Sequence, residues 1–474
     1  SDTYEKTITL FKEAKTTGVF QLESQGIKRQ LKELRPTCFD DIVAMIALYR
    51  PGPMELIPEY IARKNNRKNI EYIHPSLKEV LKSTYGLPVY QEQIMKIAQV
   101  LAGFSLAEAD ILRKAIGKKI KELLASQKEK FLEGCVKNNV PKSIADKVFS
   151  WIEPHASYSF NKSHAVAYGI IAYNTAYLKA HYPVEFMAAL LTSEKNDMDK
   201  IAFVIDECKA MAIEVLAPDI NESFRNFSVT PDGAKIRFGL LAIKNVGENI
   251  VEAILQERKD QGVFQSFSDF ATRIDSKDFN KKSLESLIKS GAFDKFEERN
   301  ILLGNLEEAL TFNREIRKAK ANAQASLFGF ANLVAPSLRL ADFSPATAKQ
   351  KIMWEKELLG LYISSHPLDN FKNLLRDRAT PLKELNNNVF YNTIRVGGII
   401  SSVKKIITKK GQPMIFLQLQ DLTDKAEVVI FPSVLEANPE IFQENKIVLI
   451  TGKKDTRNGE PKIIAQLVEE ILEA

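Results

Sequence analysis

A chain of 474 residues, 45% hydrophobic and 27% charged, is long enough for about three domains, each with its own core. A net charge of +6 with a pI near 8.8 permits a polyanionic partner without demanding one. Three scattered cysteines (Cys38, Cys135, Cys208) and five scattered histidines argue against a disulfide framework or a zinc site, and no apolar run or amino-terminal pattern marks a membrane span or a signal peptide. A cytoplasmic protein without membrane contact is expected. The chain opens at Ser1 without an initiator methionine and reads as part of a longer polypeptide.

Residues 1–60 carry two helix-like segments around TTGVFQLESQGIKRQ and end at LYRPGPM, where Pro51, Gly52 and Pro53 impose a tight turn. Arg50 in front of that turn is suited to a phosphate, a carboxylate or a surface ion pair. A helix is expected from Gln91 to about Leu101. The next should start at Ser105, because Ser105 and Glu108 form the S-x-x-E capping box. From there Leu112, Ile116, Ile120 and Leu123 fall at helical spacing and form an expected buried stripe. Lys114, Lys118 and Lys121 repeat on another face with Arg113 beside them. Like charges at that spacing repel by a few tenths, about 0.2–0.5 kcal/mol per pair, so the face either meets negative charge or is simply solvated. Ser157–His164 reads as a polar loop leading into a long helix that Pro183 terminates, with His164 and Tyr168 on one face, and a further helix follows at VEFMAALLTSE.

From about Val215 the texture changes, with IEVLAPDI and AKIRFGLLAI as short strands or extended segments. LLAIKNVGENIVEAILQER then reads as helix, turn at Asn245–Val246–Gly247, and helix. This is either a helix-hairpin-helix whose turn offers N–H groups to a phosphate, or a packed hairpin using Gly247 as a left-handed residue. Helices are expected at SFSDFATRI, KKSLESLIKSGAF and RNILLGNLEEALTFNREIRKAKA. A linker should run from about Asn322 to Lys349. Its apolar cluster (Leu327, Phe328, Phe330) suits either docking into another protein's groove or pinning onto its own domain. After a helix at MWEKELLGLYISSHP come five Val/Ile-rich strand-length segments, with turns at Lys410–Gly411 and Asn458–Gly459. Five strands in under ninety residues point to a small oligonucleotide-binding barrel. Lys404, Lys405 and Phe416 would line its single-strand-binding face, unless the barrel is a structural spacer.

Taken in order, TTGVFQLES, LYRPGP, VYQEQIM, ADILRKAIGKK, YSFNKSHAVAY and LKAHYPVEFMAALL resemble the alpha subunits of bacterial DNA polymerase III, and the match of Gln324, Ser326, Leu327 and Phe328 to that family's internal clamp peptide implies the replicative rather than the error-prone branch. The resemblance covers essentially the whole chain and implies an α+β multidomain fold. It implies helical fingers over 1–212, a helix-hairpin-helix, clamp-binding domain over 213–322 and a linker with a clamp-binding peptide over 323–349. A helical connector over 350–388 and an oligonucleotide-binding domain over 389–474 complete it. The order of domains sets it apart from the Gram-positive sister polymerase, whose barrel lies near its amino terminus.

The resemblance further implies that Arg113 and Lys114, with Lys118, face an incoming dNTP, together with Lys162, Ser163, His164 and Tyr168. Lys114 stands where the family often has a second Arg, keeping the charge but losing bidentate grip. Ser157 and Ser159 flank Tyr158 where the family often has glycines. Lys244, Val246 and Gly247, and the barrel residues Lys404, Lys405 and Phe416, would meet primer-template or single-stranded DNA. Gln324, Ser326, Leu327 and Phe328 would be captured by the sliding clamp. The family's three palm aspartates, which bind Mg2+, have no counterpart in these motifs, so no catalytic or metal residue is placed here. Asp197-Met198-Asp199 reads as a helix cap rather than a metal site. The resemblance therefore implies part of a DNA-directed DNA polymerase, inactive alone, with DNA, dNTP, clamp and other holoenzyme subunits as partners. The alternative is a non-catalytic DNA- and clamp-binding module.

Overall fold

The computed structural model describes residues 2–118, 120–325, 338–363, 366–386, 393–408, 411–455 and 461–471, the side chains of 155–158 and 321–325 excepted. Contacts divide the chain into two units, Ser1–Val215 with Asn226–Arg237, and Leu216–Arg225 with Phe238–Ala474. No described helix is long and apolar enough to cross a membrane.

The first unit is mostly helical, and two apolar clusters lie within its residues 8–176. One gathers Phe11, Val19, Leu22, Leu31, Ile42, Val43 and Tyr60 around the helices Phe39–Leu48 and Lys162–His181. Ala165, Gly169, Ala172 and Ala176 form a small-residue stripe on the latter helix and are buried. A Cβ on Gly169 would lie 2.9 Å from Val43 Cγ2 and 3.1 Å from Phe39 Cζ, so the two helices pack this closely only because glycine stands there. The second core joins Ile94, Ile97, Leu101, Leu112, Phe131, Phe149 and Ile152 from the helices Gln91–Ala102, Leu106–Gly117, Lys121–Lys137 and Lys142–Tyr158.

The capping box forms as expected: Ser105 N–H donates to Glu108 Oε2 at 2.8 Å, and Glu108 N–H to Ser105 Oγ at 3.3 Å. The salt link to Lys130 (2.6 Å), seconded by the capping bonds to Ser105, holds the Glu108 carboxyl down at about 2. The expected continuation does not form. The helix stops at Gly117, where glycine lowers the cost of ending it, and a new one starts at Lys121. Ile120 is consequently 43% exposed, while Leu112 and Ile116 are buried. Lys114, Lys118 and Lys121 therefore do not share one helical face. The expected polar loop is also shorter: helix persists to Tyr158, only Ser159–Asn161 separate it from the next, and Lys162–His164 are that helix's first turn. Asp197 caps the helix Met198–Ala210, its Oδ1 accepting from Lys200 N–H at 3.1 Å.

In the second unit the hairpin differs from expectation on its first side, which is a single 3-10 turn, Leu240–Ala242, before the helix Glu248–Gln261. Asn245, not Gly247, takes the left-handed conformation (φ 66°), which Asn tolerates better than most residues, and its Nδ2 donates to Ser286 Oγ on a later helix at 3.3 Å. Gly247 is the extended N-cap, φ −88° and ψ 170°. Helices Phe267–Arg273, Lys281–Lys289, Arg299–Gly304 and Leu306–Ala325 follow. The last runs into the expected linker. Beyond the undescribed residues, 338–347 is stitched down: Ala341 exchanges hydrogen bonds with Asn305, and Asn300 donates to Ser344 O at 2.8 Å.

The five expected strands all form, as Ile394–Ile407, Pro413–Gln420, Lys425–Ile430, Ile447–Asp455 and Lys462–Glu470, with a left-handed Gly411 (φ 77°) before the second. They close into a barrel in which the third and fifth run parallel and all other neighbours antiparallel. Alternation places Ile415, Leu417, Leu419, Val428, Ile430, Ile463 and Ala465 in its core.

Candidate functional site

In the first unit the VYQEQIM segment is the junction on which the two basic segments meet. A parallel bridge joins Tyr90 to Phe160: Phe160 N–H donates to Val89 O at 3.1 Å and Gln91 N–H to Phe160 O at 2.9 Å. The three polar side chains of the segment each hold something different. Gln91 Oε1 accepts from Arg113 Nη1 (3.3 Å) while its Nε2 donates to Ser159 O (3.3 Å). Glu92 accepts from Lys162 N–H at 2.9 Å and from Asn161 Nδ2 at 3.1 Å, placing a carboxylate at the positive end of the helix Lys162–His181. Asn161 caps the same helix, accepting from His164 N–H at 2.8 Å. Gln93 is buried and binds Val89, Tyr90, Val80 and Thr84.

Arg113 and Lys114 are not loose. Asp110 accepts from Arg113 Nη2 and from Lys114 Nζ, both at 2.7 Å, and these cations hold its carboxyl below the usual range, Lys114 first. Lys162 Nζ sits 5.5 Å over the Tyr90 ring, and neither it nor exposed Lys118 has a carboxylate partner among the described residues. Ser163 and His164 are exposed, Tyr168 half-buried. The rings of Phe160, His164, Tyr168 and Phe20 form a ladder, with centroids 5.3, 4.3 and 5.2 Å apart in turn.

Phe20 is itself fixed by a buried polar cluster. Its N–H donates to Thr175 Oγ1 at 3.2 Å. Lys179, 1% exposed, donates to Thr17 O at 2.9 Å and to Glu207 Oε1 at 2.6 Å, and Thr17 Oγ1 reaches Glu207 Oε2 at 3.0 Å. Burial pulls the Lys179 amine down. The sequence names exposed Lys118, which none of these contacts reaches, and Arg113, Lys114, Lys162, Ser163, His164 and Tyr168. It leaves out Gln91, Glu92, Asp110, Asn161 and Phe160, which hold the others. For Gln91 and Glu92 the signal is that three polar residues open an otherwise apolar helix in VYQEQIM, and for Asp110 it is the i,i+3 and i,i+4 spacing to Arg113 and Lys114.

In the second unit Lys244 and Gly247 are exposed, but Val246 is buried and its N–H already donates to Ile243 O at 3.1 Å, so it has no donor to offer a phosphate. On the barrel, register places Lys404 beside Phe416, Phe416 beside Val429, Val429 beside Ile464 and Ile464 beside Lys453. A single row thus crosses all five strands, apolar in the middle with a lysine at each end. Lys462 Nζ lies 5.9 Å over the Phe416 ring and pairs with Glu427 at 2.6 Å. Lys405 is opposite Ile415, whose side chain is in the core, so alternation puts it on the other side of the sheet from Lys404 and Phe416. The expectation that both lysines share a face with Phe416 is corrected accordingly. Gln324 belongs to the helix Leu306–Ala325, its side chain undescribed; Ser326, Leu327 and Phe328 lie outside the described residues.

Comparison with known families accounts for these parts. Residues 2–139 match the bacterial DNA polymerase III alpha subunit finger domain, 212–302 a helix-hairpin-helix motif, and 394–471 an OB-fold nucleic acid binding domain. The chain is 44% identical over 452 residues to the DNA polymerase III subunit alpha of Aquifex aeolicus, covering 95% of this chain and 37% of that protein. It is 42% identical over 473 residues to the one from Borreliella burgdorferi (98% and 41%), and 41% identical over 481 residues to the one from Thermus aquaticus (99% and 39%). It therefore spans about two fifths of the length of these relatives. With its finger, helix-hairpin-helix and oligonucleotide-binding-fold regions in this order, the chain belongs to the family of bacterial DNA polymerase III alpha subunits.

Proposed function

We propose that this chain is the nucleotide- and DNA-handling portion of a replicative DNA polymerase. Its first unit holds the triphosphate of an incoming dNTP, and its barrel holds single-stranded template. Phosphoryl transfer needs the triphosphate kept in line while its charge is offset, work that cations and oriented N–H groups perform. The observation that carries the reading is Gln91, which is bonded to Arg113 and to Ser159 together and so ties the Arg113–Lys114 helix to the turn that opens the Lys162–His164 segment. In the reaction Arg113 and Lys114 exchange Asp110 for phosphate oxygens, Lys162 adds a third charge, and His164, stacked on Tyr168, presents a ring edge to the nucleotide.

Mg2+ would be held by palm carboxylates of the full-length polymerase. It would supply charge neutralisation at the phosphates, and this chain alone would not incorporate nucleotides. Ser326, Leu327 and Phe328 with Gln324 would be the sliding-clamp peptide. Primer-template and other holoenzyme subunits would be the remaining partners, in the bacterial cytoplasm.

In a polypeptide of the relatives' length, Arg113→Ala is expected to lower kcat/KM for dNTP by about 10–100-fold, the worth of one charge-assisted contact, with primer-template affinity unchanged. Unchanged nucleotide kinetics would remove Arg113 from the site.

A further inference from the structure

Arg50 has no assigned role, and it sits on the same platform. It precedes the Pro51–Gly52–Pro53 turn, where Gly52 takes φ 99°, a conformation other residues rarely adopt. Its guanidinium lies over the Phe160 ring, 4.6 Å from the centroid. Phe160 is held from both sides by backbone bonds to Val89 and Gln91, and its ring packs edge-to-face with that of His164, centroids 5.3 Å apart. One ring therefore carries Arg50 on its face and His164 against it. Gln91, bonded to the Phe160 carbonyl, also accepts from Arg113.

The cations around this platform are treated differently by their surroundings, Lys162 lying over the Tyr90 ring without a carboxylate partner among the described residues. Arg113 and Lys114 share the single carboxylate of Asp110. Arg50 is half-buried, and among the described residues its side chain has no carboxylate or carbonyl acceptor. The Phe160 ring covers one side of the guanidinium, and among the described residues no acceptor occupies its N–H donors. That geometry suits bidentate capture of a phosphate, for which guanidinium is better shaped than ammonium.

We propose that Arg50 is a further phosphate-contacting residue of the triphosphate site, pre-oriented by Phe160. This rests on the nucleotide reading of the first unit given above. Unlike Arg113 and Lys114, Arg50 has no internal carboxylate to give up when the ligand arrives. It can therefore meet the polyphosphate without releasing an internal partner, as Lys162 can, whereas the Asp110-bound pair must first exchange its carboxylate.

The test is equilibrium binding of inorganic tripolyphosphate to the 474-residue chain by calorimetry, at fixed salt. The unaltered chain should bind. Arg50→Gln should weaken binding about tenfold or more, as should Arg113→Ala, while Lys128→Gln, which removes a lysine lying over another ring (Phe149), should leave it unchanged. Arg50→Lys, which keeps charge but not the planar fork, should lose part of the affinity, as should Phe160→Leu; these two decide the matter if Arg50→Gln does not fold. Weakening by Arg113→Ala with unaltered binding in the Arg50 variants would overturn the role of Arg50 and leave the nucleotide reading standing. Equal loss in Lys128→Gln would show a diffuse charge effect and overturn the Arg50 assignment. An unaltered chain that does not bind, or binds indifferently to Arg113, would remove the nucleotide reading and this inference with it.

Discussion

The basic surface around Gln91 in the first unit and the outer row of the barrel present the same ingredients, lysines or arginines beside aromatic rings, yet they are assembled in opposite ways. On the barrel each side chain is placed by strand register: Lys404, Phe416, Val429, Ile464 and Lys453 are neighbours because alternation and hydrogen-bond pairing leave no other arrangement. On the helical side the cations come from segments about fifty residues apart in sequence, and single polar contacts through Gln91, Glu92, Asn161 and Asp110 bring them together. A face built by register survives loss of one side chain. One built from single polar links should fail at the link.

The strongest way to break the comparison is to cut the most buried link. Lys179→Met leaves Glu207 and the Thr17 carbonyl without their shared donor and should destabilise the first unit by about 3–5 kcal/mol in urea unfolding. Lys179→Met with Glu207→Leu should cost less than Lys179→Met alone, because no uncompensated charge is then buried. A loss below about 1 kcal/mol for the single variant would show that apolar packing, not the polar cluster, holds the Phe20 ladder.

On the barrel, Lys404→Ala should weaken single-stranded oligonucleotide binding and reduce the salt slope by about 0.7, the share of one phosphate, whereas Lys405→Ala, on the opposite face, should change neither appreciably. Equal effects of both would mean that register does not decide which lysines meet the strand. The smallest effect sharpens the helical side. Glu108 has a folded value of about 2 against an ordinary 4.5, so its contribution to stability is fully present above about pH 4.5 and is lost as pH falls through about 2. Glu108→Gln should flatten that part of the acid-unfolding profile, and a side-chain NMR titration midpoint near 4.5 would contradict the capping geometry.

This contrast also explains what could be read from the residues alone. The five strands, the capping box at Ser105 and the Asp197 cap were legible because each rests on a short local pattern of alternation or spacing. The expected lysine face over Lys114, Lys118 and Lys121 was not. Helical spacing continues through Gly117 on paper, while the backbone stops there. The left-handed residue of the hairpin turn fell on Asn245 rather than Gly247, since both tolerate it and only the surrounding packing chooses. Pairing Lys404 with Lys405 ignored the period of two that the same strand obeys. Gln91 and Glu92 were invisible as organisers because their partners, Arg113, Ser159 and Lys162, are distant in sequence and share no period with them.

The central claim is that Arg113 and His164 act on one ligand. A double-mutant cycle on dNTP affinity, with Arg113→Ala and His164→Ala singly and together in the 474-residue chain, tests it most directly. Convergence predicts that the two losses are coupled by about 0.5–3 kcal/mol, so that the second substitution costs a different amount once the first is made. Losses that add within about 0.3 kcal/mol, or an affinity indifferent to His164, would contradict it.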